Sequence, residues 1–413
     1  MVDRKMQTRT RRRDVKCKAC SKSIWLFRRM TSTLYIVLFV LFLVVPAAFA
    51  IQEPSLDTSP ITPKQKPQKP NPNEAAGTQS SRGSFVFAPI PISSPAIGSG
   101  ATVIGAYIFP LRKSDAVSPP SLIGGAWVGT NNGTRAWVAA TEMYFNQDRY
   151  HVVTGVAHGD LNYDFYGTGT AAGNAGVKFG LNQTGNVFFG EVMRRTFWQV
   201  FVGPRLWFGT SRIEPQHLGE NNPELPAYGS DFKMNSMGVK VERDTTPNRF
   251  YPESGTLLQF GSDFFSKNLG GTFSFQRYRL TFNYYQGIGK KQVLAYNIFL
   301  CSTGGDAPFF GECIFGMQDE LRGYAAGRYI DRKMIATQAE YRRVLPWRLG
   351  VAVFGGLGEV GPTFSKFDLD NILLSGGVGP RFNLSTKYHL NLRADFAWGK
   401  NGHTFSMGLG ESF

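Results

Sequence analysis

Two stretches of this chain alternate so strictly that few folds can hold them. In Arg277–Tyr284, Tyr278, Leu280, Phe282 and Tyr284 alternate with Arg277, Arg279, Thr281 and Asn283. In 387–399, Tyr388, Leu390, Leu392, Ala394, Phe396 and Trp398 alternate with His389, Asn391, Arg393 and Asp395. A period of two over 8 to 13 residues is a strand with one apolar and one polar face. Strands of soluble sandwiches usually stop near about six residues. Here the polar face repeatedly carries Arg and Asp, and the apolar face is continuous and aromatic. That pattern fits a barrel wall, polar toward a lumen and apolar toward lipid. The 47 Gly, 34 Phe and 16 Tyr suit an all-β chain of either kind, soluble or membrane-embedded.

From Ser84 onward the alternation predicts strands at about 84–92, 99–110, 121–130, 134–146, 150–165, 175–192, 197–212, 232–245, 256–266, 272–287, 291–302, 328–343, 347–359, 370–383, 387–399 and 403–413. Segment 175–192 is long enough to be two strands, and a barrel of fourteen strands stays open beside one of sixteen. With the C-terminus on the periplasmic side, the long connections 213–231, 303–327 and 360–369 fall outside. The short ones, Val344-Leu345-Pro346 and Leu384-Ser385-Thr386, fall inside, which is the outer-membrane arrangement. The expected fold is therefore all-β, a transmembrane antiparallel β-barrel over 84–413.

Leu34–Val45 is an unbroken apolar run between Arg28-Arg29 and Pro46-Ala47-Ala48-Phe49-Ala50. A basic start, a short apolar run and a small-x-small end predict a signal peptide over 1–50, cut after Ala50; a retained anchor is the alternative. Residues 51–83 hold six prolines and no aromatic residue, which predicts a disordered periplasmic linker. The formal charge of +15 is concentrated at the start, since residues 1–30 hold 11 Lys/Arg against 2 Asp. Once that segment is removed the remaining balance gives no reason to expect a nucleic-acid partner. Cys17 and Cys20 form a C-x-x-C without a second ligand pair, so no metal is expected there. In the mature chain Cys301 and Cys313 flank one loop, and in an exported protein they read as a disulfide bracing its entrance.

That loop carries Leu321-Arg322-Gly323-Tyr324 within a Gly-rich run from Phe315 to Arg328. Tyr329-Ile330-Asp331 follows, then the strand-like run Ile335–Arg343 with Glu340-Tyr341-Arg342. Either Arg322 is a surface residue on a flexible loop, or the loop folds back into a cavity. In the second case Arg322 meets a carboxylate and Gly323 allows close backbone approach. These residues resemble the sixth-loop signature of the BamA/TamA-like outer-membrane assembly factors, the bacterial surface antigen family. Asp244–Gly255 is similar to that family's D-T-x-x-N-x-x-x-P-x-x-G element, and Phe405, Met407, Leu409 and Phe413 to its terminal strand.

The resemblance implies that Arg322 plugs into the lumen against acidic strand residues, of which Glu340 matches one. The family's other carboxylate is expected near Gly356, where this chain has glycine. The 33 residues of 51–83 are too few for a POTRA domain, so the resemblance is to a short member lacking them. By parity Arg277, Arg279, Arg342, Arg381, Arg393 and Asp395 also face the lumen, where an Arg–carboxylate network is expected.

The first strand contains Phe85, Phe87, Pro89 and Pro91. Proline cannot donate to a ladder and belongs at sheet edges, so one side of this strand is weak. If that side faces Thr404–Phe413, the barrel has a lateral seam of the kind this family uses; otherwise 84–92 is linker over the mouth. The resemblance implies a role in inserting or translocating proteins, or lipids, at the bacterial outer membrane. Its expected partners are outer-membrane lipid, nascent outer-membrane proteins, and the assembly machinery for its own insertion. The alternative is a passive channel or structural barrel. Five scattered histidines and the lack of a G-x-S-x-G or P-loop motif give no support for an enzyme, and no cofactor is expected.

Overall fold

The computed structural model describes residues 83–413 apart from 95, 113, 116, 120, 217–229, 249, 317–319, 387 and 388. The signal peptide and linker expected over 1–83 lie almost wholly outside the described residues, as do Cys17 and Cys20. In chain order the strands are β1 (Ser84–Ser94), β2 (Gly98–Phe109), β3 (Ser121–Thr130), β4 (Arg135–Phe145), β5 (Tyr150–Phe165) and β6 (Phe179–Arg195). Next come β7 (Val200–Pro215), β8 (Ser230–Asp244), β9 (Gly255–Phe265), β10 (Phe275–Gly287) and β11 (Gln292–Gly305). The rest are β12 (Cys313–Ile314), β13 (Ile330–Asp331), β14 (Lys333–Val344), β15 (Leu349–Gly361), β16 (Leu373–Ser385), β17 (Leu390–Gly399) and β18 (Gly402–Leu409).

All but β12 and β13 form one antiparallel sheet of sixteen strands, each pairing with its neighbour along the chain and β11 with β14. Short strands β12 and β13 pair with each other inside the β11–β14 loop. The two ends of the sheet, β1 and β18, lie alongside one another, so the sheet curls into a nearly closed barrel. Among the described residues no ladder joins them.

Exposure runs opposite to that of a soluble protein. On β14 the buried set is Met334, Ala336, Gln338, Glu340 and Arg342, a largely polar inner face. On β15 the exposed set includes Val353 and Leu357, and on β17 Phe396 and Trp398. An ionic interior with an apolar exterior is stable only where the exterior solvent is lipid. Among the described residues no helix is long and apolar enough to cross a membrane.

Several expected boundaries shift. Segment 175–192 is one strand, β6, preceded by a short helix at Thr170–Ala175. The strand expected from 328 starts at Lys333, because Ile330–Asp331 pairs instead with Cys313–Ile314. The last strand stops at Leu409 rather than running to Phe413. Connections 146–149, 196–199, 288–291 and 345–348 are tight and share one end of the barrel. The connections 216–229, 306–332 and 362–372 are long and share the other, which by the outer-membrane rule is the external side.

Candidate functional site

The β11–β14 loop does not stand away from the barrel. The Cys301–Cys313 disulfide ties its start to β11, across a Cα–Cα distance of 5.9 Å. Phe315, Leu321, Tyr324 and Tyr329 then bury against Phe299, Met334, Ala336, Val360 and Leu373. Tyr324 Oη donates to the Leu374 carbonyl at 2.6 Å and accepts from the Lys400 amide at 3.2 Å. Tyr329 Oη contacts the side chains of Asn174 and Asn401, one from the β5–β6 loop and one from the β17–β18 turn. Thr170 Oγ1 donates to the Val360 carbonyl and Arg328 Nε to that of Gly173. Three connections and the ends of β15 and β16 are thus laced into a cap over the lumen.

At the loop's deepest point Gly323 has φ 105°, and a Cβ there would lie 2.9 Å from the Trp398 carbonyl oxygen. Only glycine lets the loop lie this close to β17 in that conformation. Its neighbour Arg322 is carried into the lumen. There Nη2 pairs with Glu340 Oε2 at 2.7 Å, Nη1 with Asp395 Oδ2 at 2.9 Å, and Nε donates to Gln338 Oε1 at 3.2 Å. The guanidinium lies 3.4 Å from the Phe354 ring centroid, a cation–π contact on its open face.

The second carboxylate of Arg322 therefore comes from β17 and not from the position expected on β15. At Gly356 a Cβ would collide with the Thr337 carbonyl oxygen and lie 2.7 Å from Leu321 Cδ1. Leu321 fills the space that a carboxylate would need. The charge stands instead on a strand where parity also aims it inward.

Around this pair the network widens. Arg381 reaches Asp395 Oδ1 at 2.6 Å, Glu411 Oε2 at 2.8 Å and Glu340 Oε2 at 3.6 Å. Arg342 Nε pairs with Glu340 Oε1 at 2.6 Å, and Arg393 Nη1 with Asp395 Oδ2 at 3.3 Å. Four guanidiniums and three carboxylates are thus interleaved and buried. Removing water from so many ions is costly, and the cluster holds only because each charge has partners of opposite sign. Arg277 and Arg279 stand elsewhere on the lumen wall. Arg279 lies 3.8 Å from Asp263, in a second group where Arg205 and Lys240 pair with Glu191.

Two participants carry no distinctive signal in the sequence. Glu411 falls within the expected last strand, but the chain turns inward after Leu409, with the Gly410 amide donating to the Asn391 carbonyl at 2.8 Å. Phe413 is carried in with it. Arg342 Nη2 donates to its main-chain oxygen, and its ring centroid lies 5.7 Å from the Arg322 and Arg342 guanidiniums. Phe413 is thus a lumen residue and not part of the seam. Gln338, the other, has only its inward parity to mark it.

The remaining residues expected at a seam stand on the two end strands of the sheet, β1 and β18. Phe85 and Phe87 are 85% and 73% exposed on the outer face of β1. Pro89 and Pro91 lie opposite Val103 and Ala101 in an unbroken ladder with β2. On β18, Phe405, Met407 and Leu409 are partly buried, opposite Phe396, Ala394 and Leu392 of β17.

Close to the disulfide, Glu312 is buried with Oε2 unpartnered, while Oε1 lies 3.6 Å from Arg332 Nε. Loss of water, and then the nearby Asp331 carboxylate, push its acid up to about 7; Arg332 offsets only part of this.

A wall that is apolar outside and ionic inside defines a bacterial outer-membrane β-barrel, here with a loop folded into its lumen. Its affiliation within that class is also clear. Residues 124–413 match the Omp85 superfamily domain, and the chain belongs to that superfamily.

Among solved structures it is similar to BamA from Haemophilus ducreyi lacking POTRA domains 1–3. The TM-score is 0.53 at 12% identity, over 80% of this chain and 70% of that one. It is also similar to CdiB from Acinetobacter baumannii, with TM-score 0.53 at 11% identity over 79% of this chain and 59% of that one. CdiB from Escherichia coli gives 0.54 at 10% identity, over 79% and 62%. The chain thus spans less than two thirds of either CdiB. At these identities the likeness concerns the fold. Among curated protein sequences none matches the chain.

Proposed function

We propose that this barrel assists the insertion or translocation of proteins, or of lipids, at the outer membrane through a lateral opening between β1 and β18. The observation that supports it most is the unjoined pair of sheet ends. Closing the ladder would satisfy a row of backbone groups on each edge, yet Pro89 and Pro91 remove two donors from one of them. In this reading their imide nitrogens face β18, since the β1–β2 ladder runs through both prolines without interruption. A client strand, or a lipid, would enter at this seam from the bilayer. The Arg322 cluster would hold the loop inward and keep the lumen shut while the wall opens.

The reading includes a chain exported by the 1–50 signal peptide and tethered by 51–83. Its partners would be outer-membrane lipid, nascent outer-membrane proteins as clients, and the assembly machinery for its own insertion. A passive channel fits less well, because the ionic groups of the lumen are buried against one another and against the loop. Photocrosslinkers at Phe87 and at Leu409, placed in cells, test the proposal. Adducts with nascent outer-membrane proteins are expected, and an engineered disulfide between β1 and β18 should abolish them. A barrel that gives no adduct with protein or lipid, and works unchanged with its seam locked, would sink it.

A further inference from the structure

Among the described residues, every non-glycine residue with a left-handed backbone lies in a tight turn at the same end of the barrel: Asn146, Gln147, Asp148, Trp198, Gln199, Trp347, Arg348 and His389. Asn or Gly takes such positions cheaply, whereas a bulky side chain is strained there. Two of these turns nonetheless carry tryptophan, and the indoles are left in the open, Trp198 80% and Trp347 91% exposed. A strained, exposed indole contributes little to the fold, which points to something outside the chain that it touches.

The strands entering this end supply charge to match. On β6 the inward set includes Phe189, Glu191 and Met193, so Arg194 is the outward residue beside the turn. On β14 the inward set ends at Arg342, which leaves Arg343 outward, and on β8 Glu242 is inward and Arg243 outward. Arg243 Nε also donates to the Trp198 carbonyl at 3.2 Å, joining guanidinium and turn tip. Among the described residues neither Arg194 nor Arg343 forms an ion pair. At the opposite end Arg212 pairs with Glu214 at 2.5 Å and Lys178 with Asp164 at 2.6 Å, while the exposed, outward Arg135 and Lys233 form no ion pair among the described residues.

We infer that the tight-turn end is a binding surface for anionic phospholipid of the periplasmic leaflet. The indoles seat among the headgroups and the outward guanidiniums pair with phosphate. These groups lie on or beside strands β6 to β14, seven of the sixteen. Each stands at the end of an outer face that is itself apolar, with Phe188 and Val192 exposed on β6 and Met237 and Val239 on β8, so the guanidiniums and indoles continue a wall that already faces lipid.

The test uses the full chain refolded in nanodiscs holding phosphatidylethanolamine and phosphatidylglycerol in equal amounts, with the lipids retained on extraction measured by mass spectrometry. Phosphatidylglycerol is expected to be enriched in the retained shell. The Arg194→Gln/Arg343→Gln pair should lower that enrichment by roughly fivefold per guanidinium lost, and raised salt should weaken it. Trp347→Gly keeps the question answerable if the charge variant folds poorly. It relieves the strained turn, so the barrel should be no less heat-resistant in detergent while retaining less phosphatidylglycerol. Equal retention of the two lipids, or enrichment indifferent to all of these variants, would overturn the inference. So would an in-cell crosslink from position 347 to a periplasmic protein in place of lipid.

Discussion

Arg322 and Asp395, 73 positions apart in the chain, meet at 2.9 Å inside the barrel, and that contact pins the long loop to the wall beside the last strand. Glu340, on β14, holds the other side of the same guanidinium at 2.7 Å. One loop residue therefore bridges two strands that are not neighbours.

Arg322→Ala should free the loop. The substitution leaves Glu340 and Asp395 with fewer partners, and breaking one side of a buried ionic cluster costs about 3–5 kcal/mol. Limited proteolysis within 306–332 is expected to become fast, with a lower melting temperature for the folded barrel in detergent. Unchanged protease resistance would show that the apolar packing of Leu321, Tyr324 and Tyr329 holds the loop without the arginine.

Gly356→Asp, which places a carboxylate where the family resemblance implies one, should destabilise this protein. The new Cβ would collide with the Thr337 carbonyl and with Leu321 Cδ1, and overpacking of this kind costs about 1–3 kcal/mol. Adding Leu321→Ala should recover part of the loss by opening space. Melting temperatures of the two single variants and the double variant give the coupling directly. Strict additivity would contradict the packing argument.

Glu312 makes the cap sensitive to pH. Its acid is raised from 4.5 to about 7, so the folded loop holds a proton that the released loop gives up. Stability from this group is fully present below the released-state value and is lost as pH rises through the folded one. Amide exchange in 306–332 should therefore quicken between about pH 5 and about pH 8 beyond its intrinsic pH dependence. Glu312→Gln should remove that extra slope.

Cys301→Ser with Cys313→Ser should loosen the same loop by another route. In the chain-entropy view, closing a short loop contributes on the order of 3 kcal/mol. The sixteen-strand sheet makes no use of the bond, so circular dichroism should keep its β signature while the loop becomes open to protease.

Much of this architecture is legible in the amino-acid sequence. Period two in Arg277–Tyr284 and in 387–399 reports a strand that sees two different solvents, and it needs no tertiary information. The same parity places Arg342, Arg381, Arg393 and Asp395 in the lumen, and the family resemblance carried by Leu-Arg-Gly-Tyr implies that Arg322 pairs with Glu340. Parity states which face a side chain occupies, but not its height in the barrel or which loop atom arrives beside it. Asp395 is therefore readable as a lumen charge and not as the partner of Arg322.

That choice depends on the loop's path, which Leu321 and Gly323 set by packing on β15 and against the β17 backbone. The inward turn of 410–413 is equally hidden. Its alternation continues that of a strand, and only the buried arginines waiting in the lumen draw Glu411 and Phe413 away from the wall. Local periodicity decides the wall of this barrel. Its interior is decided by long-range pairing of charges, which no local pattern records.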